Sequence, residues 1–273
     1  MIAWLVDLLR TIHPAPAAAV TALSGVLGAV LLNQAGLPVG ERWALTVLAV
    51  AGSQVFTGVT NDLADLSRDA VIRPEKPLPA GRVGASAALW LAAAGLAVQL
   101  AASLPLGLPM LLVGVAATAS ALTYNVALSR TVASALPYLV SFALLPAWVA
   151  LGVGIPVERV LPAVPLIAPF AVAAHLANTL RDFDADASLG AGNLAQRMGR
   201  RLTQRLAFGL ALGPGLAAGL GMAIGGRLDA ASAGLGALGL AAIAAGWRNP
   251  DRLWNGILVA AVAWTAAWAL VSG

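Results

Sequence analysis

Nine long apolar runs separated by short polar connections make up most of the chain, at about 15–33, 43–61, 84–102, 107–124, 132–151, 160–179, 203–224, 229–246 and 253–271. Each lies within the roughly 17–25 residues an α-helix needs to cross a bilayer. The ~10-residue alternating segments of a transmembrane β-barrel do not occur. The pattern predicts an all-α, polytopic membrane helix bundle of about nine spans in a single domain, 1–273. The longest polar stretches, about 62–83 and 181–202, are too short to bury a core of their own. The start differs from the rest: Ile2 to Ile12 reads as an interfacial helix broken by His13-Pro14-Ala15-Pro16. Asp7 and Arg10 interrupt that segment, and the small-residue run Ala15 to Ala19 precedes the first long apolar run, so no cleaved signal peptide is expected.

Composition supports the membrane reading. The 273 residues are 60% hydrophobic and 10% charged, against roughly 45–50% and ~25% for soluble domains. An odd number of spans separates the termini. Of the basic residues, only Arg42, Arg159 and Arg227 fall on the side opposite the N-terminus. Lys and Arg are retained preferentially in the cytoplasm, so the N-terminus and the polar segments at its level are expected there, in a multi-pass protein of a prokaryotic inner membrane. The pI near 10.6 comes from basic residues spread over membrane loops, so no nucleic-acid partner is expected. With no cysteine, thiolate and disulfide chemistry are excluded. Gly209-x3-Gly213, Gly215-x3-Gly219 and Gly221-x3-Gly225 in the seventh run predict close helix packing. Trp4, Trp43, Trp247 and Trp254 read as interfacial anchors, and Trp90 and Trp264 as lipid-facing or packing residues.

Two segments stand out from this apolar background. Asn61, Asp65 and Asp69, and again Asn178, Asp182 and Asp186, share the spacing N-x3-D-x3-D, and the two segments hold six of the twelve acidic residues. Residues four apart lie on one helical face, so each segment projects an Asn and two Asp in one stripe where a span meets water. A carboxylate at a membrane helix centre costs about 2.5–3.5 kcal/mol, less near the ends. Clustering several there calls for a compensating cation or a watery cavity. The stripes fall at the same membrane face, on the second and sixth spans, which predicts two four-helix pseudo-repeats plus one helix.

Oxygen-only donors favour a hard cation such as Mg2+, which keeps phosphate oxygens as co-ligands. Arg68, Arg73, Lys76, Arg82, Arg130 and Arg181 lie on the same side to offset the remaining phosphate charge. Phosphate held under an apolar cavity implies a lipid phosphate substrate.

The segment Asn61 to Asp69 followed by Arg73-Pro74-Glu75-Lys76-Pro77-Leu78-Pro79-Ala80-Gly81-Arg82 resembles the UbiA superfamily of intramembrane prenyltransferases. The resemblance extends to the nine-helix layout, the Arg10 to Pro14 entry, Tyr124-Asn125 at the end of span four, and Leu180 to Gly199 with its second Asp motif. It implies Mg2+-dependent transfer of a prenyl group from a polyprenyl diphosphate to a lipophilic acceptor, aromatic or a quinone precursor. By the same resemblance Asn61, Asp65 and Asp69 match the first metal stripe and Asp182 and Asp186 the second. Asp62 is as much a ligand candidate as not. Substrate-binding candidates are Asn61, Arg73, Lys76, Arg82, Tyr124, Arg130, Asn178, His175 and Arg10. Tyr124 would bond a phosphate or shield an allylic cation; His175 would touch the acceptor, support the stripe, or only pack. Two positions depart from the family pattern: Ser129 stands where a Lys is common, leaving Arg130 to serve, and Thr179 where many members carry Asp. Asp184 is out of register with Asp182 and Asp186 and reads as solvated or supporting.

Two other functions share parts of this pattern. A UbiA-type terpene cyclase would use the same ionisation and quench the cation internally. A cation-coupled transporter would also place carboxylates in a repeated bundle, but here the Asp residues gather at one face and none lies mid-span.

Overall fold

The computed structural model describes residues 2–272. Among the described residues the chain forms helices and connections without strands: α1 (Ile2–Arg10), α2 (Pro14–Gln34), α3 (Glu41–Ala64), α4 (Leu66–Ile72), α5 (Ala85–Ser103), α6 (Leu108–Thr123), α7 (Leu136–Val153), α8 (Val164–Arg181), α9 (Phe183–Ser188), α10 (Leu194–Met198), α11 (Arg200–Ile224), α12 (Ala230–Ala244) and α13 (Pro250–Ser272). Proline stands in the first turn of α2, α6, α7 and α8, where its missing N–H is one the helix leaves unpaired. Among the described residues, eight helical segments are long and apolar enough to cross a membrane. The eighth predicted run, 229–246, differs: it forms the 15-residue α12, about 22 Å long at ~1.5 Å per residue and short of a ~30 Å hydrocarbon core. Its start is fixed by a capping box in which Asp229 Oδ1 accepts from Ser232 N at 2.7 Å.

The expected duplication shows in the packing order. In the first half α2 packs on α3 and α3 on α5; in the second α7 packs on α8 and α8 on α11. The remaining helix, α13, touches both α8 and α2 and closes the bundle. Near the far end of α6 the helix widens to a π-turn over Tyr124–Leu128, with Ser129 N donating to Tyr124 O at 2.9 Å. The predicted interfacial helix α1 turns Ile2, Leu5, Val6 and Leu9 outward, one apolar stripe. Its buried Asp7 accepts from Arg82 Nε at 2.9 Å.

The glycine packing is only partly where the sequence places it: Gly215 lies against Trp264 of α13, but four other glycines of α11 do not pack. A Cβ on Gly209, Gly213, Gly219 or Gly221 would meet no atom within 4 Å among the described residues beyond its own helix. Close backbone crossings occur instead at α3 on α5, where a Cβ on Gly52 would lie 2.6 Å from Gly95 O and one on Gly95 2.8 Å from Gly52 O, and at α13 on α12, where a Cβ on Gly256 would meet the Ala242 carbonyl. Spacing within one helix cannot say which partner helix approaches, so a GxxxG pattern gives no contact by itself. Trp43, expected as an interfacial anchor, ties α3 to α2 by donating to Gly25 O at 2.7 Å, and Trp264 packs into the space left by Gly215 and Gly239. Trp90 is 76% exposed, as a lipid-facing residue would be.

Candidate functional site

Both stripes break at their middle residue. Asp65, between α3 and α4, has φ −93° and ψ 5°; Asp182, between α8 and α9, has φ −95° and ψ 8°. Helical bonds continue past the break, because Asp69 N donates to Asp65 O at 2.8 Å and Asp186 N to Asp182 O at 2.8 Å; before it Asp65 N donates to Asn61 O at 3.0 Å, whereas Asp182 N turns to Leu180 O. Each stripe therefore keeps one face while its lower turn is re-aimed. The two faces meet at one end of the bundle.

Four cations fill the space between them. Arg68 Nη2 donates to Asp186 Oδ1 at 2.6 Å and to Asp182 Oδ2 at 3.3 Å, and its Nη1 lies 3.6 Å from Asp69 Oδ1. Arg73 pairs with Asp182. Lys76 Nζ donates to Asp69 Oδ2 at 2.6 Å and Asp62 Oδ1 at 2.8 Å, and Arg130 to Asp65 Oδ1 at 3.2 Å. Burial works against the Lys76 ammonium, but the bonds to Asp62 and Asp69 outweigh it and raise its pKa above the usual lysine value. At Asp65 burial is the largest influence and raises the carboxyl, with Arg68 and Arg130 opposing it.

These groups form the mouth of a cavity of about 1280 Å³, larger than the ~300–1,000 Å³ of ordinary ligand sites. Arg10, Asn61, Asp65, Arg73, Lys76, Tyr124, Arg130, Asn178, Asp182 and Asp186 all line it. Beyond the mouth its wall is apolar, with Phe142, Leu145, Ile167, Phe170, Leu240 and Trp264 among its residues.

Four predicted residues do not reach the lining among the described residues. Asp69 is 1% exposed and sits behind Lys76 and Arg68. Asp62 is held by Lys76 and by His13 Nε2 at 2.9 Å. Arg82 is spent on Asp7 and on Glu75 O, fastening α1 to the loop after α4. His175 is fully buried, bonded to Ser134 Oγ at 3.1 Å, and covered by Tyr124 and Tyr138, whose ring centres lie 5.6 and 4.7 Å away. Arg181 lines the cavity but donates to Asp251 at 2.7 Å, and Asp184, out of register as expected, pairs with Arg200 at 2.5 Å.

Several participants lie in segments that carry the resemblance but are not among the expected site residues. Asn193 Nδ2 donates to Asp186 Oδ2 at 2.8 Å while its Oδ1 caps α10. Asn125 links Asn61 to Thr57 and Thr60. His13, with φ 56°, takes the strained left-handed conformation that joins α1 to α2. Arg68, one of the basic residues expected to offset phosphate, also bridges the two stripes, a contact between distant segments.

The donor set suits a hard divalent cation. Every candidate ligand is a carboxylate or amide oxygen, and Asp69 Oδ1 is buried with no hydrogen-bond donor among the described residues. In the present arrangement the arginines hold the carboxylates apart, and no cluster of three or more forms a ready metal cage among the described residues.

A helical membrane bundle with paired Asn/Asp stripes at the mouth of a long apolar cavity defines a polytopic membrane protein with a charged site at one end of an apolar channel. The chain belongs to the UbiA prenyltransferase family, whose model matches residues 20–256, which places it among intramembrane prenyltransferases. No curated protein sequence matches it. Among solved structures, the apo form of a UbiA homolog from Aeropyrum pernix K1 is similar at 23% identity and TM-score 0.71, over 90% of this chain and 96% of that one. A UbiA homolog from Archaeoglobus fulgidus bound to GPP and Mg2+ is similar at 16% identity and TM-score 0.67, over 98% and 100%. A digeranylgeranylglyceryl phosphate synthase structure is similar at 17% identity and TM-score 0.67, over 98% and 99%. At these identities the likeness establishes the fold.

Proposed function

We propose that this protein transfers a prenyl group from a polyprenyl diphosphate to a lipophilic acceptor, aromatic or a quinone precursor, with the reacting end at the cytoplasmic face of a prokaryotic inner membrane. The observation that carries this reading is the juxtaposition of two facing Asp stripes, four cations and an apolar cavity too long for a small polar ligand. Asn61, Asp65, Asp69, Asp182 and Asp186 would hold Mg2+, the ion with which the Archaeoglobus fulgidus homolog binds GPP. Bound there, the ion supplies Lewis-acid stabilisation of the charge that develops on the departing diphosphate.

The chain's own residues do the rest. Arg68, Arg73, Lys76 and Arg130 exchange carboxylate partners for phosphate oxygens and orient the head. The allylic C–O bond breaks with its electron pair leaving on the diphosphate, the acceptor supplies the pair for the new bond, and the proton it then sheds passes to the released diphosphate. The Tyr124 and Tyr138 rings line the cavity beside the mouth, where an aromatic face steadies a cation. The apolar walls keep water from quenching it.

The test is diphosphate release from a panel of allylic prenyl diphosphates, with Mg2+ or EDTA, by wild type, Asp65→Ala and Asp182→Ala, with lipid products read by mass spectrometry. Metal-dependent release lost in either variant is expected, by at least about a hundredfold, since each carboxylate supports several kcal/mol of charge stabilisation. A cyclic product formed without acceptor would assign the chain to the cyclases. No release with any donor or acceptor, from folded protein that binds no prenyl diphosphate, would end the enzyme reading.

A further inference from the structure

The cavity does not end below the stripes. Along α8 it is lined from Asp182 back to Ala163, a path of about 28 Å at ~1.5 Å per residue. Leu228 and Ser232, in the connection from α11 to α12 and the first turn of α12, line its far end. Near that end two wall positions carry no side chain. Gly219 is about 8 Å from the end of α11 and Gly236 about 9 Å from the start of α12, so they face the cavity at one level.

Neither glycine is explained by packing. One turn away, Gly215 and Gly239 make room for the Trp264 indole, and a Cβ on either would collide with it. A Cβ on Gly219 or Gly236 would meet nothing within 4 Å among the described residues beyond its own helix. Glycine inside a helix costs about 1 kcal/mol relative to alanine. At these two positions its effect is to keep the cavity open.

The remaining length sets the ligand. Three backbone bonds of an extended chain span ~3.6 Å, so the four bonds of one isoprene unit span about 5 Å. From Asp182 to the level of Gly219 and Gly236 is about 20 Å, room for four units, and the cavity continues beyond. Resting on the prenyl-diphosphate reading above, we infer that the donor carries a tail longer than four isoprene units and that Gly219 and Gly236 are the positions that let it pass.

The experiment compares diphosphate release from donors of two, four, six and eight isoprene units by wild type, Gly219→Phe, Gly236→Phe and Gly221→Phe. Gly221 has the same open surroundings but lies outside the cavity lining, so it reports the cost of the substitution alone. Wild type is expected to turn over six- and eight-unit donors, a six-unit tail of about 30 Å filling the path and the last units of a longer one passing out beside the exposed Leu228. Gly219→Phe and Gly236→Phe should lower kcat/KM for those donors by at least about tenfold, the scale on which one misfitting methylene in an apolar pocket discriminates. Their two-unit activity should stay near the wild-type value, and Gly221→Phe should leave every length unchanged. Should Gly219→Phe not fold, Gly219→Leu and the separate helix of Gly236→Phe carry the same test. The inference is overturned if wild type stops at four units, or if filling the channel affects all lengths alike or none, which would mean the tail leaves sideways between helices. Release from no donor of any length would instead remove the parent reading.

Discussion

Aligned on their asparagines, the two stripes read Asn61-Asp62-Leu63-Ala64-Asp65-Leu66-Ser67-Arg68-Asp69 and Asn178-Thr179-Leu180-Arg181-Asp182-Phe183-Asp184-Ala185-Asp186. Their backbones agree, down to the shared break at Asp65 and Asp182. Their charges do not. Arg68 stands where the second stripe has Ala185, and Asp62 where it has Thr179. The first stripe and its loop therefore supply Arg68 and Arg73 to the carboxylates of the second, while Arg181 of the second turns away to Asp251. A repeated fold gives the geometry, and divergence within the repeat gives it direction.

The sharpest way to break this asymmetry is to remove Arg68. Its side chain is 13% exposed, and deleting one partner of a buried ionic cluster typically costs about 3 kcal/mol or more. Arg68→Met is expected to lower thermal stability of the metal-free protein by that order and to strengthen binding of Mn2+ without diphosphate, because the guanidinium no longer competes for Asp182 and Asp186. Mn2+ should also restore more of the lost stability in the variant than it adds to wild type. An Mn2+ titration followed by paramagnetic resonance, paired with melting curves, decides it; unchanged metal affinity would make Arg68 only a phosphate ligand.

The second stripe alone has an amide behind its last carboxylate. Asn193 is 2% exposed and donates to Asp186, and a group that orients a metal ligand is typically worth about 10–100-fold in affinity or activity. Asn193→Ala is expected to fall at the lower end of that range, read as kcat/KM for diphosphate release. Asn193→Asp should fall further, since it sets a second carboxylate against Asp186.

How far the sequence carried this picture depends on what each signal was made of. The apolar runs and the N-x3-D-x3-D spacing are local patterns tied to the helical period, and they located eight spans, the short α12 and both stripes. The break at Asp65 and Asp182 was invisible, because neither a proline nor a glycine marks it. Partner choice was equally hidden: Arg82 on Asp7, His13 on Asp62 and Asn193 on Asp186 are contacts between distant segments. The glycines of α11 show the limit best. Their spacing reads as helix packing, yet of them Gly215 meets Trp264 while Gly209, Gly213, Gly219 and Gly221 meet nothing, and close backbone approaches fall at Gly52, Gly95 and Gly256, which no motif announces.

In the first stripe the sensitive group is Asp65, whose carboxyl burial raises above the ordinary value while Arg130 draws it back down. Metal binding needs the ionised form, so uptake is lost as pH falls through that raised pKa. Removing Arg130 takes away a charge that favours ionisation and raises the carboxyl further. Arg130→Gln should therefore move the acid limb of the pH profile for metal binding to higher pH and leave the alkaline side in place. An unmoved limb would show that another group sets it.

The smallest expected effect tests the register itself. Asp184 lies two residues from both Asp182 and Asp186, but two residues is half a helical turn, and its side chain points outward at 89% exposure. Its partner Arg200 is 46% exposed, and ion pairs of that kind contribute little in water. Asp184→Ala is expected to change diphosphate release by less than about twofold, beside a loss of at least about a hundredfold for Asp182→Ala. If Asp184→Ala were as damaging as Asp182→Ala, acidic charge at this end of the bundle would matter more than its placement. The matching four-residue spacing of the two stripes would then lose its meaning as a metal-binding geometry.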